Sequence, residues 1–297
     1  MSSTPKWPDY DYSSCRQNYS YLTTSDFMIT SYSLLSFVNI PLDVFTFFVI
    51  IRKTPPAMKK MRSALLFAQF CCTNLDICTT LLACPYAFFP TASALTLGIL
   101  SKLGMPFKWQ GYWGQVSIMM NGVAFVMLYE NRHSQVSTIR WKITSDWVRQ
   151  VYCLVLIILA FLSILPFYLE ETNQVELRQY VLARVPCPTI EFFDPGTYVL
   201  LKGGEAAPFY SITLMAGYII FQSFFFAIHV LYHIVLAPNS NFAIPIMAHI
   251  LPTAYSLYSD KYNYYNQVLN NFAVLGFASH GLLATSVTLI IYRVFRK

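Results

Sequence analysis

The sequence predicts an all-α membrane protein: a seven-transmembrane helix bundle, N-terminus outside, C-terminus cytosolic, with a short sixth helix. Three observations predict it. Seven long, nearly uncharged stretches fill most of the 297 residues. Charged residues make up 11% of the chain, against roughly 25% in a soluble domain. Basic residues collect on alternate connections between the stretches. A helix crosses the hydrocarbon core with about 20 apolar residues, and these stretches are apolar nearly all round, where a soluble core helix would keep a polar face. Aromatic residues form 17% of the chain, with Tyr and Trp near the segment ends, where rings sit at headgroup level.

The elements follow in order. Residues 1–26 form a polar outer tail without the apolar core of a signal peptide, so no cleavage is expected and the first stretch, Phe27–Ile51, inserts as a signal anchor. Ser63–Phe89 is the second and Trp109–Tyr129 the third. Trp147–Leu169 is the fourth, and Pro208–Leu236 the fifth and longest. The sixth, Phe242–Tyr258, has 17 residues; at ~1.5 Å each it spans about 25 Å, less than the roughly 30 Å core. Asn266–Tyr292 is the seventh. Only one connection is long, so residues 1–297 read as a single membrane domain, with the bundle at 27–292 and a short cytosolic tail at 293–297.

The basic residues orient this bundle. With odd connections and the C-terminus inside, the cytosol receives twelve Lys and Arg and the outside eight, which is the positive-inside bias. Arg52, Lys53, Lys59, Lys60 and Arg62 are the strongest witness, because all five follow the first stretch directly. The short sixth stretch is also needed: without it Arg293, Arg296 and Lys297 would end outside.

Cys71, Cys72, Cys78, Cys84 and Cys153 fall within the apolar stretches, where a small packing role is the default. Cys15 and Cys187 fall in outside segments, an oxidising compartment, and are a candidate disulfide; Cys84, near the outer end of the second stretch, is the competing partner. Asn18, in Asn18-Tyr19-Ser20, is the candidate glycosylation site, nine residues before the first stretch.

Ionisable groups at membrane depth are costly and usually face the bundle interior. Asn39, Asp76 and His280 lie near the midpoints of the first, second and seventh stretches, and Asp43 lies one turn beyond Asn39, past Pro41. If those helices adjoin, the four form a buried polar cluster. It is either a satisfied structural layer or a switch whose protonation or ion occupancy differs between two states. His229 and His233 share a helical face at the cytosolic end of the fifth stretch, where interfacial histidines are ordinary, and His249 stands alone in the sixth. No metal site is expected. There is no nucleophile motif, phosphate loop or zinc-protease signature, so neither enzyme activity nor a cofactor is expected, and no basic surface is large enough for nucleic acid.

The run Asn263-Tyr264-Tyr265-Asn266-Gln267-Val268-Leu269-Asn270-Asn271, followed by His280-Gly281-Leu282-Leu283-Ala284-Thr285, resembles the signature of the nematode serpentine chemoreceptors of class H. Ile40-Pro41-Leu42, Lys53-Thr54-Pro55, Pro85-Tyr86, Phe89-Pro90, Glu130-Asn131-Arg132 and Pro186-Cys187 are similar to that family at corresponding places, so the resemblance spans most of the chain. It implies a seven-helix plasma-membrane receptor of sensory-neuron cilia that binds a small molecule and signals through a heterotrimeric G protein. Glu130, Asn131 and Arg132 are then the G-protein-facing candidates, with Arg132 pairing the acid at rest; a plain positive-inside anchor is the simpler reading of Arg132. The ligand stays unidentified. Trp109, Gln110, Tyr112, Trp113 and Gln115 are candidate pocket lining, with interface packing the simpler reading of any single one.

One departure from the family matters. Between the fifth and sixth stretches the chain offers only Ala237-Pro238-Asn239-Ser240-Asn241, where the family carries a basic cytosolic segment. The missing segment argues against efficient coupling and leaves three alternatives: a divergent member, a degraded non-signalling member, or a gene model lacking an exon. A membrane enzyme with a histidine metal site would need three ligands at one depth. A transporter would show an inverted repeat and more intramembrane charge.

Overall fold

A computed structural model describes residue 15, residues 20–54, 56–135, 142–169, 173–200 and 254–295, and a few positions between 217 and 228. Most of the fifth and sixth stretches, Asn18, His229, His233 and His249 lie outside the described residues.

Helix α1 is Ser25–Lys53, capped by the Thr24 side chain, which accepts from the Phe27 N–H. A 3-10 turn at Pro56–Met61 leads into α2, Arg62–Ile77, which continues as a π-turn over Cys78–Leu82. The sequence predicted helix as far as Phe89; the chain instead leaves the helix after Leu82. Pro85 has no N–H to continue the ladder, and Cys84 turns the chain at a positive φ of 46°. Strand β1 (Pro85–Ala87) follows, then β2 (Ser93–Thr96), the short α3 (Ile99–Lys102) and α4 (Phe107–Gln135). Next come α5 (Asp146–Leu162), α6 (Leu165–Leu169), α7 (Gln174–Arg184) and β3 (Tyr198–Val199). Residues 254–262 form α8, and the chain closes with α9 (Gln267–Ala278) and α10 (His280–Phe295).

The small antiparallel sheet, in order β1-β2-β3, is the one departure from an all-helical architecture among the described residues. Its register pairs Tyr86 with Leu95 and Ala94 with Tyr198. It lies at the end of the bundle where α1 begins, here called the cap end. There Met28, Tyr32, Tyr86, Phe88, Leu177, Phe192, Val199 and Val274 form one apolar core, with the rings of Tyr86, Phe88 and Phe192 meeting edge to face. Helix α7, hidden in the long fourth connection, has no apolar run of its own, which is why hydropathy missed it.

Among the described residues four helical stretches are long and apolar enough to cross a membrane: Ser25–Lys53, Lys59–Leu82, Asp146–Leu169 and Gln267–Ser286. The pattern on α1 identifies the solvent. Its buried face carries Ser36, Asn39, Asp43 and Thr46 between Tyr32 and Ile50, while Leu34, Phe37, Val44, Phe45 and Phe48 point outward. In water this arrangement would be inside out; in hydrocarbon it is the arrangement that satisfies polar groups. Helix α4 is as long, and more polar. It packs between α2 and α5, through Ala124 against Cys71 and Ala68, and through Val116, Val123 and Tyr129 against Leu156, Ala160 and Phe167.

Gly98 lets the chain fold back onto the end of α2. A Cβ there would lie 2.1 Å from the Leu82 carbonyl oxygen, and the Gly98 N–H donates to the Ala83 carbonyl at 3.0 Å. We expect Gly98→Ala to cost about 1–3 kcal/mol of stability, as overpacking does. Gly114→Ala, whose new methyl would meet nothing within 4 Å, should be neutral or slightly stabilising. Thermal unfolding of the two purified variants checks this, and equal midpoints would contradict the packing described.

Candidate functional site

The structure brings three helices together around polar side chains at mid-membrane depth. Ser36 on α1 donates to Thr80 Oγ1 at 2.7 Å. Seven residues further along α1, Asp43 Oδ1 accepts from Gln69 Nε2 at 2.9 Å and from Thr285 Oγ1 of α10 at 3.2 Å. Since α1 and α2 run antiparallel, these two contacts set a register that places Asn39 opposite Asp76. The Asp76 carboxyl lies on the α-carbon of Gly281: a Cβ there would sit 1.9 Å from Asp76 Oδ2. Among the described residues Asn39, at 1% exposure, has no hydrogen-bond partner for its side-chain polar atoms, and Asp76, at 2%, meets no side-chain donor, only the Gly281 backbone N–H.

His280 is fully buried. Its Nδ1 lies 3.2 Å from Asn121 Nδ2 of α4, its ring meets Phe125 edge on, and Asn121 Oδ1 accepts from the Cys72 thiol at 3.2 Å. So the four predicted cluster residues are all buried, and the layer is wider than the sequence reading had it. Ser36, Gln69, Thr80, Asn121 and Thr285 belong to it. Each is a polar residue within an apolar stretch, and that was the signal available. Among the described residues no three His, Cys, Asp or Glu side chains group to hold a metal ion.

At the opposite end from the cap, Glu130 is buried, at 1% side-chain exposure, and its partner is Arg149 of α5: Arg149 Nε donates to Oε2 at 2.9 Å and to Oε1 at 3.2 Å. Arg149 also donates to Asp146 Oδ1 at 2.9 Å and to the Ile143 carbonyl at 3.0 Å. The acid of the Glu130-Asn131-Arg132 triplet is thus held by a cation nineteen residues on, with Arg132 half-buried beside it. Asn131 Oδ1 accepts from Gln135 Nε2 at 2.6 Å.

The signature run builds a clasp at the cap end. Gln267 Nε2 donates to the Ala87 carbonyl at 3.0 Å, Asn270 Nδ2 to the Phe89 carbonyl at 3.0 Å, and Asn271 Nδ2 to the Leu22 carbonyl at 2.8 Å. Tyr255 of α8 donates to Asn270 Oδ1 at 2.7 Å. The Tyr265 hydroxyl, its pKa pushed up to about 12 by burial, donates to Gln267 Oε1 at 2.9 Å and accepts from the Thr189 N–H at 3.1 Å. Tyr86 closes the ring by donating to the Thr23 carbonyl. Asn266 caps α9 by accepting from the Leu269 N–H at 3.2 Å. Tyr264 accepts from Asn266 Nδ2 at 3.2 Å. Asn263, at a positive φ of 49°, accepts from Arg184 Nε at 2.7 Å, and Arg184 also bridges to Asp260 at 3.0 Å. Cys15 and Cys187 are joined in a disulfide with Cα atoms 5.6 Å apart, while Cys84 is a buried free thiol. Arg178 lies buried under β3, donating to the Pro195 carbonyl at 3.0 Å and to that of Thr197; burial lowers its pKa and Asp194 works against the shift.

The five candidate pocket residues on α4 are not brought together. Trp109 and Trp113 face outward, 45% and 43% exposed. Gln110 is buried and donates to the Met105 carbonyl at 2.6 Å, and Tyr112 donates to the Phe161 carbonyl at 3.4 Å. Gln115 keeps a buried Oε1 with no partner among the described residues.

The contact between Asp76 and Gly281 yields a test with an internal control. Gly281→Ala should sharply lower surface expression and thermal stability, because the methyl would overlap the carboxyl. Shortening the opposing side chain, in Gly281→Ala/Asp76→Ala, should restore much of the loss. A double variant no better than Gly281→Ala alone would contradict the geometry.

Serpentine receptor class H-72 of Caenorhabditis elegans is 19% identical over 304 aligned positions, covering 95% of this chain and 87% of that protein. No solved structure matches. The family model described as serpentine type 7TM GPCR chemoreceptor Srh matches in two stretches, residues 23–243 and 237–297. Together these cover the polar layer, the buried Glu130 and the signature run that builds the clasp, so the chain belongs to the Srh family of serpentine 7TM chemoreceptors.

Proposed function

We propose that this chain is a chemosensory receptor of the plasma membrane, in the cilia of sensory neurons, which binds a small molecule between the outer halves of its helices. Family membership is the observation that carries the reading. It is a receptor, not an enzyme, and it crosses the bilayer seven times as one domain over residues 1–297. The cap end faces outside. The disulfide supports this, because Cys15 and Cys187 tie the N-terminal tail to the long connection in what would be the oxidising compartment. The first basic connection at the other end supports it as well.

The layer of Asn39, Asp43, Asp76 and His280 is the switch. Buried carboxyl groups with so few donors and no cation beside them are held at a cost, and a rearrangement that satisfies them differently gives the bundle two states for a ligand to choose between. Signalling would pass to the end where Arg149 holds Glu130, and loss of that pair would free the Glu130-Asn131-Arg132 triplet for a heterotrimeric G protein. Coupling is weak in this chain. The family match divides at residues 237–243, the place where the sequence lacks the basic segment and where the short sixth helix begins. A second reading, a family member that reaches the membrane without signalling, rests on this one feature of the sequence.

A chimera separates the two. The connection Ala237–Asn241 is replaced by the corresponding segment of the class H relative, and both forms are expressed with a calcium reporter and exposed to an odorant panel. The account expects responses from the chimera and none, or far weaker ones, from the chain as it stands. Equal responses would contradict the role given to the missing segment. Silence from both at normal surface levels would contradict the receptor reading.

A further inference from the structure

The first connection, between α1 and α2, holds five cations in eleven residues: Arg52, Lys53, Lys59, Lys60 and Arg62. All five are exposed, and none makes an ion pair with another described residue. At this end of the bundle the described residues supply only two acids, Glu130 and Asp146, and both are engaged by Arg149. The patch therefore has no internal counter-charge. Both flanks of the connection are tied to the bundle: Met61 is buried with Ile50 and Leu65, next to Leu128 of α4, and Thr54 donates back to the Ile50 carbonyl.

Two further features point to an external anion. Arg52 and Lys53 end α1, where the helix dipole favours cations. Lys59, Lys60 and Arg62 crowd the start of α2, where the same dipole disfavours them, so three charges stand against local helix energetics. Such a conflict is expected where a residue serves binding rather than folding. The depth identifies the partner. Phe48 and Ile51, at 53% and 46% exposure, precede Arg52 directly on α1, and Phe70, at 61%, lies two turns into α2. The cations thus border the hydrocarbon-facing belt, in the plane of lipid headgroups, and not on a surface projecting toward a soluble partner.

We infer that this connection is a docking surface for an inner-leaflet lipid whose headgroup carries several phosphates. A cluster of Lys and Arg immediately beyond a membrane helix attracts anionic headgroups, and a compact polyphosphate headgroup can neutralise several of these cations at once, where a headgroup with one net charge neutralises one. The inference rests on the membrane-spanning reading of α1 and α2 and on the orientation proposed above, and not on chemoreception or G-protein coupling.

The test uses the full chain in phosphatidylcholine nanodiscs, alone or doped with phosphatidylserine or phosphatidylinositol bisphosphate, with thermal unfolding as the readout. The bisphosphate lipid should raise the midpoint, phosphatidylserine should raise it less, and high salt should abolish the rise. The variant Lys59→Gln/Lys60→Gln/Arg62→Gln should be no less stable than the parent in pure phosphatidylcholine, since the altered side chains are exposed and the helix dipole disfavours their charge, and should bind the bisphosphate lipid about tenfold more weakly or worse. No shift in the parent, or the same shift in the variant, would overturn the inference. A polyglutamate peptide that stabilises the parent where the lipid does not would assign the patch to an acidic protein segment and overturn it too.

Discussion

The structure depends on one constraint: in the bilayer interior a polar group finds no water, so it must find another helix. Asp43 of α1 reaches Gln69 of α2 and Thr285 of α10, and Ser36 reaches Thr80. Hydrophobic burial cannot hold these helices together, because lipid tails are as apolar as Leu. Hydrogen bonds and close packing of small groups do it instead, and Gly281 under the Asp76 carboxyl is the closest such approach. The polar face of α1 then turns inward and the aromatic face outward, which fixes the rotation of the helix about its axis.

The two ends of the bundle solve different problems. At the cap end, loops and strands must leave the membrane with their carbonyls satisfied. Gln267, Asn270 and Asn271 meet that need by donating to the carbonyls of Ala87, Phe89 and Leu22. The most distinctive run of the sequence is thus a fastening of backbone, with side chains spent on main-chain acceptors. At the other end the charges are either neutralised within the fold, as Glu130 is by Arg149, or exposed without a counter-charge, as on the first connection.

Much of this was legible in the sequence because lipid imposes simple rules. The ends of α1 and the seventh stretch fall within a few residues of the predicted bounds, and the buried cluster could be named from polar residues at segment midpoints. Other features were not legible, for physical reasons. The second stretch stays apolar through Phe89, so hydropathy could not see that Pro85 and the turn at Cys84 end the helix and start a strand. Helix α7 is amphipathic over an apolar core from other elements, so no run of its own announced it. The choice of Arg149 over Arg132 for Glu130 depends on how α4 and α5 pack, which no local pattern encodes. For Trp109 and Trp113 pocket lining and interface packing were both open, because aromatic residues suit either, and the rotation of α4, which turns them outward, is not encoded locally.

The most direct test of the polar layer is a double-mutant cycle on Asp43 and Gln69, read as unfolding free energy of the full chain in lipid. The account predicts a coupling between Asp43→Ala and Gln69→Ala of roughly 0.5–3 kcal/mol, the range for residues in one hydrogen-bonded network, and near-additivity between Asp43→Ala and Gln110→Ala at the cap end. Additivity in the first pair would mean that α1 and α2 are not held by these groups, and the arrangement of the bundle argued from them would be wrong.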